Sequence, residues 1–349
     1  MKHISLFTRI LAFALLLVLT FSLAACAGGG SNPDETSGDE TTGGTEGSFD
    51  ATLPVKVTVL NGTTGFGMAK LMKDKADGNA ALNYTFDVQA DPANVLAALI
   101  NGSTDIAALP TNAAATVYNR TNGKVQVLAL NTLGVLYVLS NGETVTDFAS
   151  LRGKTVYCPA NNPAIIFSAL CEKNGLRVGT DITVDTTYAE PAALRDAVVA
   201  GQVDLAVLPE PMVTIAKNKN ASLTVSLDLT EEWDKKFTPG SLVQGCVVVR
   251  SEFAAAHPAE IAKFLEEYAS SIAYLTENVN DAASVIVEQG IFAGAAGVAA
   301  KAIPNCNVTF VKGNDMKTAL KVFLEALHGV NPAAVGGALP ADNFYYGAD

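Results

Sequence analysis

Hydrophobic and polar positions divide the chain into three zones. Residues 10–19 are continuously apolar behind Lys2 and Arg9, a run too short to cross about 30 Å of hydrocarbon comfortably. Residues 27–50 are mostly Gly, Ser, Thr, Asp and Glu, with almost nothing to bury against the entropy of ordering, so they are expected to form a disordered tether. From Val55 onward, strand-length apolar segments alternate with helical ones. Residues 55–60 predict a strand, Asn61-Gly62-Thr63-Thr64-Gly65 a polar loop, and 66–72 a helix.

The pattern then repeats. Asp91-Pro92-Ala93-Asn94-Val95-Leu96 continues through Gly102 and Asp105 to Leu109-Pro110. Ninety-nine residues later Glu190-Pro191-Ala192-Ala193-Leu194-Arg195 continues through Gly201 and Asp204 to Leu208-Pro209, without a gap. Each copy reads as a helix opened by an acid-Pro pair, a turn at Gly, and a short buried strand stopped by Pro, which cannot continue a central ladder. The symmetry extends upstream, where a strand over 155–158 precedes Pro159-Ala160-Asn161-Asn162-Pro163 and a helix over 164–173.

Such an order predicts an α/β protein of two Rossmann-like lobes, each an open sheet built from crossover units, with a ligand cleft between them. Two apolar segments, 134–139 and 241–250, bracket the second copy and are the natural crossovers. The implied division is 51–138 with 247–349 as lobe 1, and 139–246 as lobe 2. The remainder carries apolar residues at spacings of three and four, predicting helices over 258–275, 281–289, 294–302 and 315–327. The folded part, about 300 residues, also exceeds what one core usually supports.

Composition narrows the partners. With 23 basic and 35 acidic side chains the net charge is −12, which argues against nucleic acid, since binding it needs cations to neutralise phosphates. Beyond Cys26 there are Cys158, Cys171, Cys246 and Cys306; four cysteines allow three pairings, and their spacings fit no framework. Buried free thiols suit Cys158 and Cys246, which lie in or at the end of apolar strand-like runs. No CxxC is present, and after the leader only His257 and His328 remain, so neither a metal nor another cofactor is expected.

Ligands of open α/β sheets bind at the carboxyl ends of strands, which singles out four loops. Thr63, Thr64 and Gly65 stand at a helix N-terminus, where free amides and the helix dipole favour an anion or carbonyl by roughly 0.3–1 kcal/mol. Asn161 and Asn162 hold the equivalent place in the second lobe; Thr111 and Asn112 close the first repeat, and Glu210 with Pro211 the second. The competing reading is that these Thr and Asn side chains merely cap helices. Glu210 has two open roles: holding a cationic group of the ligand, or pinning a lobe-to-lobe hydrogen bond. No arginine lies in these loops, which tilts the ligand toward a neutral, zwitterionic or heteroaromatic solute.

Leu23-Ala24-Ala25-Cys26, behind the charged and apolar leader, closely resembles the bacterial lipobox. The resemblance implies that residues 1–25 are a signal peptide, that Cys26 is lipidated, and that 26–50 tether the folded part to a membrane surface. Two acyl chains hold stably where one is marginal. Cleavage would remove Lys2 and Arg9 and leave the chain still more acidic.

Lipobox, tether, duplicated units and paired crossovers together resemble the extracytoplasmic solute-binding proteins of ABC importers. Leu208-Pro209-Glu210-Pro211 after Asp204-Leu205-Ala206-Val207 looks like their nitrate, sulfonate, taurine and thiamine-precursor branch, with the type II periplasmic-binding fold. That resemblance implies a monomer that captures a small organic solute and hands it to a permease and its ATPase. An extracytoplasmic sensor or scaffold using the same cleft is the alternative. A related branch makes a thiamine precursor by consuming its own histidine, but neither His257 nor His328 falls in a strand-end loop, so no enzyme activity is expected. Gly153-Lys154-Thr155 imitates the end of a phosphate loop, yet the position of the required earlier glycine is Phe148 and a strand follows.

Overall fold

The computed structural model describes residues 48–349; the expected signal peptide, Cys26 and all but the end of the tether lie outside them. Strands and helices alternate in two sheets. The first runs β1 (Pro54–Leu60), α1 (Thr63–Phe66), α2 (Ala69–Ala76), β2 (Asn83–Gln89), α3 (Pro92–Asn101), β3 (Ile106–Pro110), α4 (Thr111–Arg120) and β4 (Val125–Thr132). The chain then enters the second sheet with β5 (Leu136–Ser140), followed by β6 (Thr155–Tyr157), α5 (Asn162–Lys173), β7 (Thr183–Asp185), α6 (Pro191–Val199), β8 (Leu205–Pro209), α7 (Met212–Lys219), β9 (Thr224–Asp228) and α8 (Leu229–Asp234). It returns through β10 (Gly245–Arg250) to α9 (Ser251–Ala256), α10 (Pro258–Glu277), α11 (Val279–Glu288), α12 (Ala296–Ala302), β11 (Val308–Val311) and α13 (Gly313–Val330).

The first sheet has the order β11-β4-β10-β3-β1-β2 and the second β7-β6-β8-β5-β9. The two repeat copies thus lie in different sheets, β3 in one and β8 in the other. Each copy pairs antiparallel with a strand arriving from the opposite sheet: Cys246 lies opposite Leu109 and Val248 opposite Ala107, while Tyr137 lies opposite Leu208 and Leu139 opposite Ala206. Passage between the sheets occurs at residues 133–135 and 241–244. Residues 136–138, assigned from sequence to the first lobe, therefore stand in the second sheet, and 245–246 in the first. The crossover segments read as uninterrupted apolar runs, so hydropathy marked the strands but not the point where one sheet ends.

Alternation along the repeat strands shows why they read as continuously apolar. Ala107 and Leu109 face one core and Ile106 and Ala108 another; Leu205 and Val207 face the first core, and Ala206 and Leu208 a third. Both faces of each sheet are covered, as expected for strands without a polar side. The core containing Leu109 also contains Val207, Phe167 and Phe323, so it runs unbroken across the crossovers. The fully buried Trp233 stacks on Phe237 at 3.9 Å between centroids and meets Phe323 of α13 at 5.7 Å. Its Nε1 donates to Ser241 Oγ, 2.8 Å away on the return crossover.

The expected helix over 66–72 is instead two pieces. Ser271 of α10 donates its hydroxyl to Gly67 O at 2.6 Å, and the Leu71 N–H donates to Ser271 Oγ at 3.1 Å. The side chain is inserted where a Gly67-to-Leu71 helical bond would form, a known cause of helix interruption. A Cβ on Gly67 would also meet Ile272 at 2.7 Å, so glycine permits this approach. The cysteines at 158, 171, 246 and 306 are all free and buried; burial pushes the Cys171 thiol up to about 12, which keeps it protonated and unreactive.

Gly134, in the outgoing crossover, does not adopt a positive φ but has no room for a side chain. A Cβ there would overlap the Thr230 hydroxyl and approach Leu242 Cδ2 to 2.6 Å. Gly134→Ala is expected to destabilise the protein by about 1–3 kcal/mol through overpacking, read as a lowered urea midpoint at unchanged m-value.

Candidate functional site

A cavity of about 610 Å³ opens where strand-end loops of both sheets face each other. Its walls are supplied by α1, the first turns of α3, α4, α5 and α6, the ends of β3 and β8, and both crossovers. Five of the residues singled out from sequence line it: Thr63, Thr64, Asn112, Asn161 and Asn162.

Their side chains are not spent on capping. The N-cap of α1 is Gly62 and that of α5 is Asn161, and neither makes a side-chain cap bond. By contrast Asp91 accepts from the Ala93 N–H at 2.8 Å, Asp228 from the Thr230 N–H at 2.8 Å, and Asn331 from the Ala333 N–H at 3.1 Å. Asn162 Oδ1 is buried without a hydrogen-bond partner, an arrangement that costs about 1–3 kcal/mol unless something donates to it. Asn161 has φ 64° and ψ −124°, a backbone region that strains any side chain and is found preferentially at functional sites. Asn112 is partly committed, donating through Nδ2 to Ala334 O at 3.3 Å.

The loop carrying Thr63 and Thr64 is held from below. Asn131 of β4 donates Nδ2 to Thr64 O at 3.0 Å and lies 3.0 Å from the Tyr268 hydroxyl; the Thr132 hydroxyl donates to Asn131 Oδ1, also at 3.0 Å. All three residues are buried. A satisfied polar network of this kind fixes the loop in one position.

The other three predicted residues are elsewhere. Gly65 packs α1 against β1: a Cβ would meet Val59 Cγ1 and Ile291 Cγ2 at 2.9 Å. Thr111 is fully buried and its hydroxyl donates to Val243 O at 2.6 Å. Glu210 is also buried, accepting from the Thr214 N–H at 3.1 Å and the Thr214 hydroxyl at 2.9 Å. It lines a separate pocket of about 350 Å³ with Tyr137, Lys217 and Asn305. The misplacements of Thr111 and Glu210 share one cause. Pro110 and Pro209 line the cavity, and the next residue on each strand end points away, as alternation requires. Strand-end position is legible in the sequence; the direction of the side chain that follows it is not.

The sequence reading also missed contributors. Pro92, Leu96 and Pro191 belong to the acid-Pro helix starts that the repeat had already exposed. Gln244 belongs to a crossover, and Asn331, Ala333 and Ala334 to the turn after α13. No repeat partner pointed to the last three. None of the lining residues is charged or aromatic. What they offer is hydroxyls, carboxamides and the N-terminal turns of four helices against an aliphatic wall. Among the described residues no group of three or more His, Cys, Asp or Glu could hold a metal.

Two mixed α/β sheets, exchanging strands at two crossovers and facing one cavity, define the type II periplasmic-binding-protein fold. The chain belongs to the NMT1/THI5-like family, which it matches over residues 79–282. It is similar to the crystal structure of an ABC transporter from Parabacteroides distasonis, with TM-score 0.71 and 25% identity over 85% of this chain and 99% of that one. The periplasmic aliphatic sulphonate binding protein of Escherichia coli gives TM-score 0.68 at 16% identity, over 84% and 92% of the two chains. The periplasmic nitrate-binding protein of Synechocystis PCC 6803 gives 0.53 at 14% identity, over 71% and 69%. No curated protein matches the sequence.

Burial raises the Glu210 carboxyl above its ordinary 4.5, against the opposing effects of the Thr214 and Asn305 hydrogen bonds and of Lys217. An acid with a raised folded pKa adds stability that is complete below the unfolded pKa and is lost as pH rises through the folded one. The thermal midpoint of the wild type relative to Glu210→Gln should therefore move in the wild type's favour as pH falls from neutral toward about 4.5. A difference that moves the opposite way would show the carboxylate to be net stabilised by its partners.

Proposed function

We propose that this protein is the solute-binding component of an ABC importer, anchored outside the cell membrane through lipidated Cys26. It captures a small organic solute between its two lobes and presents the closed form to a permease. The observation that carries the reading is the shared cavity: its walls come from both sheets, so a bound solute contacts both lobes and any preference for the closed state follows from the same contacts that give affinity. Similarity to an ABC transporter structure and to sulphonate- and nitrate-binding proteins supports this class.

The chemistry of the wall narrows the solute. Without a carboxylate to pair it, an enclosed cation would carry an uncompensated desolvation cost of several kcal/mol. The N-terminal turns of α3 to α6 favour partial negative charge instead. The solute therefore bears no net positive charge and is read through neutral donors and acceptors. The first of Glu210's two open roles, holding a cationic group of the ligand, loses support, since Glu210 lies outside the cavity. His257 and His328 are absent from the lining as well, and binding without turnover is the proposed activity.

The test is a panel of ethanesulfonate, taurine, nitrate, alanine and cytosine, read by thermal shift and by emission of Trp233, the sole tryptophan, whose ring meets Phe323 across the crossovers. Thr64→Ala combined with Asn161→Gly should weaken binding of a responding solute by roughly tenfold or more, at about 1 kcal/mol per lost hydrogen bond. Glycine is the informative replacement because it accepts the positive φ at 161. The solute-free thermal midpoint should scarcely change, and an unchanged dissociation constant would remove the cleft assignment. Separately, Cys26→Ser should move the protein from the membrane fraction to the soluble one; continued co-sedimentation would disprove the anchor.

A further inference from the structure

The two crossovers meet at one side chain. Strand pairing makes Val135 and Gln244 equivalent, each being the last residue before the strand that enters the other sheet. Their carbonyls behave alike: Val135 O accepts from the Glu210 N–H at 2.9 Å and Gln244 O from the Thr111 N–H at 3.2 Å, in both cases from the residue following a Leu-Pro strand end. The Gln244 N–H donates to Thr132 O at 2.9 Å. The equivalence breaks at the side chain, because Gln244 Oε1 accepts from the Val135 N–H at 2.7 Å. That bond fixes the carboxamide: a backbone N–H can only donate, so the oxygen faces Val135 and Nε2 is the remaining branch. Nε2 has no partner among the described residues, and both Gln244 and Val135 line the cavity.

We infer that Gln244 is a solute-binding residue, donating through Nε2 to an acceptor on the solute while Oε1 ties the two crossovers together. The acceptor is a carbonyl, sulfonate or nitrate oxygen, or a ring nitrogen. One side chain then reads the solute and restrains the hinge, so solutes presenting an acceptor at this point are selected over those presenting a donor. The inference rests on the cavity being the solute site.

Wild type, Gln244→Glu and Gln244→Met are titrated with ethanesulfonate, taurine, nitrate, alanine and cytosine, with thermal midpoint and small-angle scattering recorded before addition. Glutamate still accepts from the Val135 N–H but cannot donate. Its solute-free scattering and midpoint should match the wild type, while affinity for the responding compound falls roughly tenfold or more. Methionine should lose both the affinity and the wild-type scattering profile. Equal affinity in Gln244→Glu overturns the assignment and leaves the transport reading standing. A solute-free change in Gln244→Glu as large as in Gln244→Met makes the residue structural only and also overturns it. If no compound binds the wild type, the cavity reading falls, and the Gln244 assignment with it.

Discussion

Each sheet in this protein is completed by a strand that the other half of the chain delivers. β10 lies between β3 and β4, and β5 between β8 and β9, both in antiparallel register. Removing either would leave two rows of buried backbone donors and acceptors without partners, at a cost comparable to a lost hydrogen bond for each group. Neither sheet is therefore a self-sufficient lobe. The exchange forces two crossovers, places them side by side, and leaves the carboxyl ends of β1, β3, β6 and β8 directed at one cavity.

How much of this was written in the sequence depends on whether a feature is periodic. The 99-residue offset located β3 and β8, and alternation of apolar with polar segments located most helices, because burial on two sheet faces leaves a strong hydropathic trace. The break between α1 and α2 left none. It comes from a serine 200 residues away inserted between Gly67 and Leu71, and nothing local distinguishes Gly67 from a glycine tolerated within a helix. Candidate site residues divided similarly. Thr63, Thr64, Asn112, Asn161 and Asn162 were found from loop position alone, whereas placing Thr111 and Glu210 in the cavity required knowing which way a side chain turns after the last strand residue. Asn331, Ala333 and Ala334 enter from a C-terminal turn with no counterpart in the second repeat, so symmetry was silent about them.

The absence of charge in the cavity wall contrasts with a chain whose net charge is −12. Some charged residues elsewhere pair at the surface, as Arg152 and Arg177 do with Asp181, contributing little individually. Within the cavity a fixed charge would have to be desolvated by any solute enclosed against it. Neutral hydroxyls and carboxamides avoid most of that cost while still offering direction, and helix N-termini supply partial positive charge without a titratable group. A cavity wall without titratable side chains carries no charge of its own that changes with pH, and the buried Glu210 lines a different pocket.

A shared core limits how such a molecule can move. Leu109, Leu136, Phe167, Trp233 and Phe323 belong to one continuous cluster, so opening cannot separate two finished cores without exposing apolar surface at about 25 cal/mol per Å². The chain passes between the sheets only through the short crossovers, where residues 133–135 and 241–244 form no strand. Where α5 and α13 border each other, a pocket of about 390 Å³ is lined by small residues, Ala169, Ala326 and Gly329, and by larger ones that include Lys173, Phe237 and Glu325. Close packing resists displacement because interdigitated side chains have discrete arrangements. The structure thus combines a covered sheet on each side, strand exchange that keeps the halves joined, and one cavity walled by both.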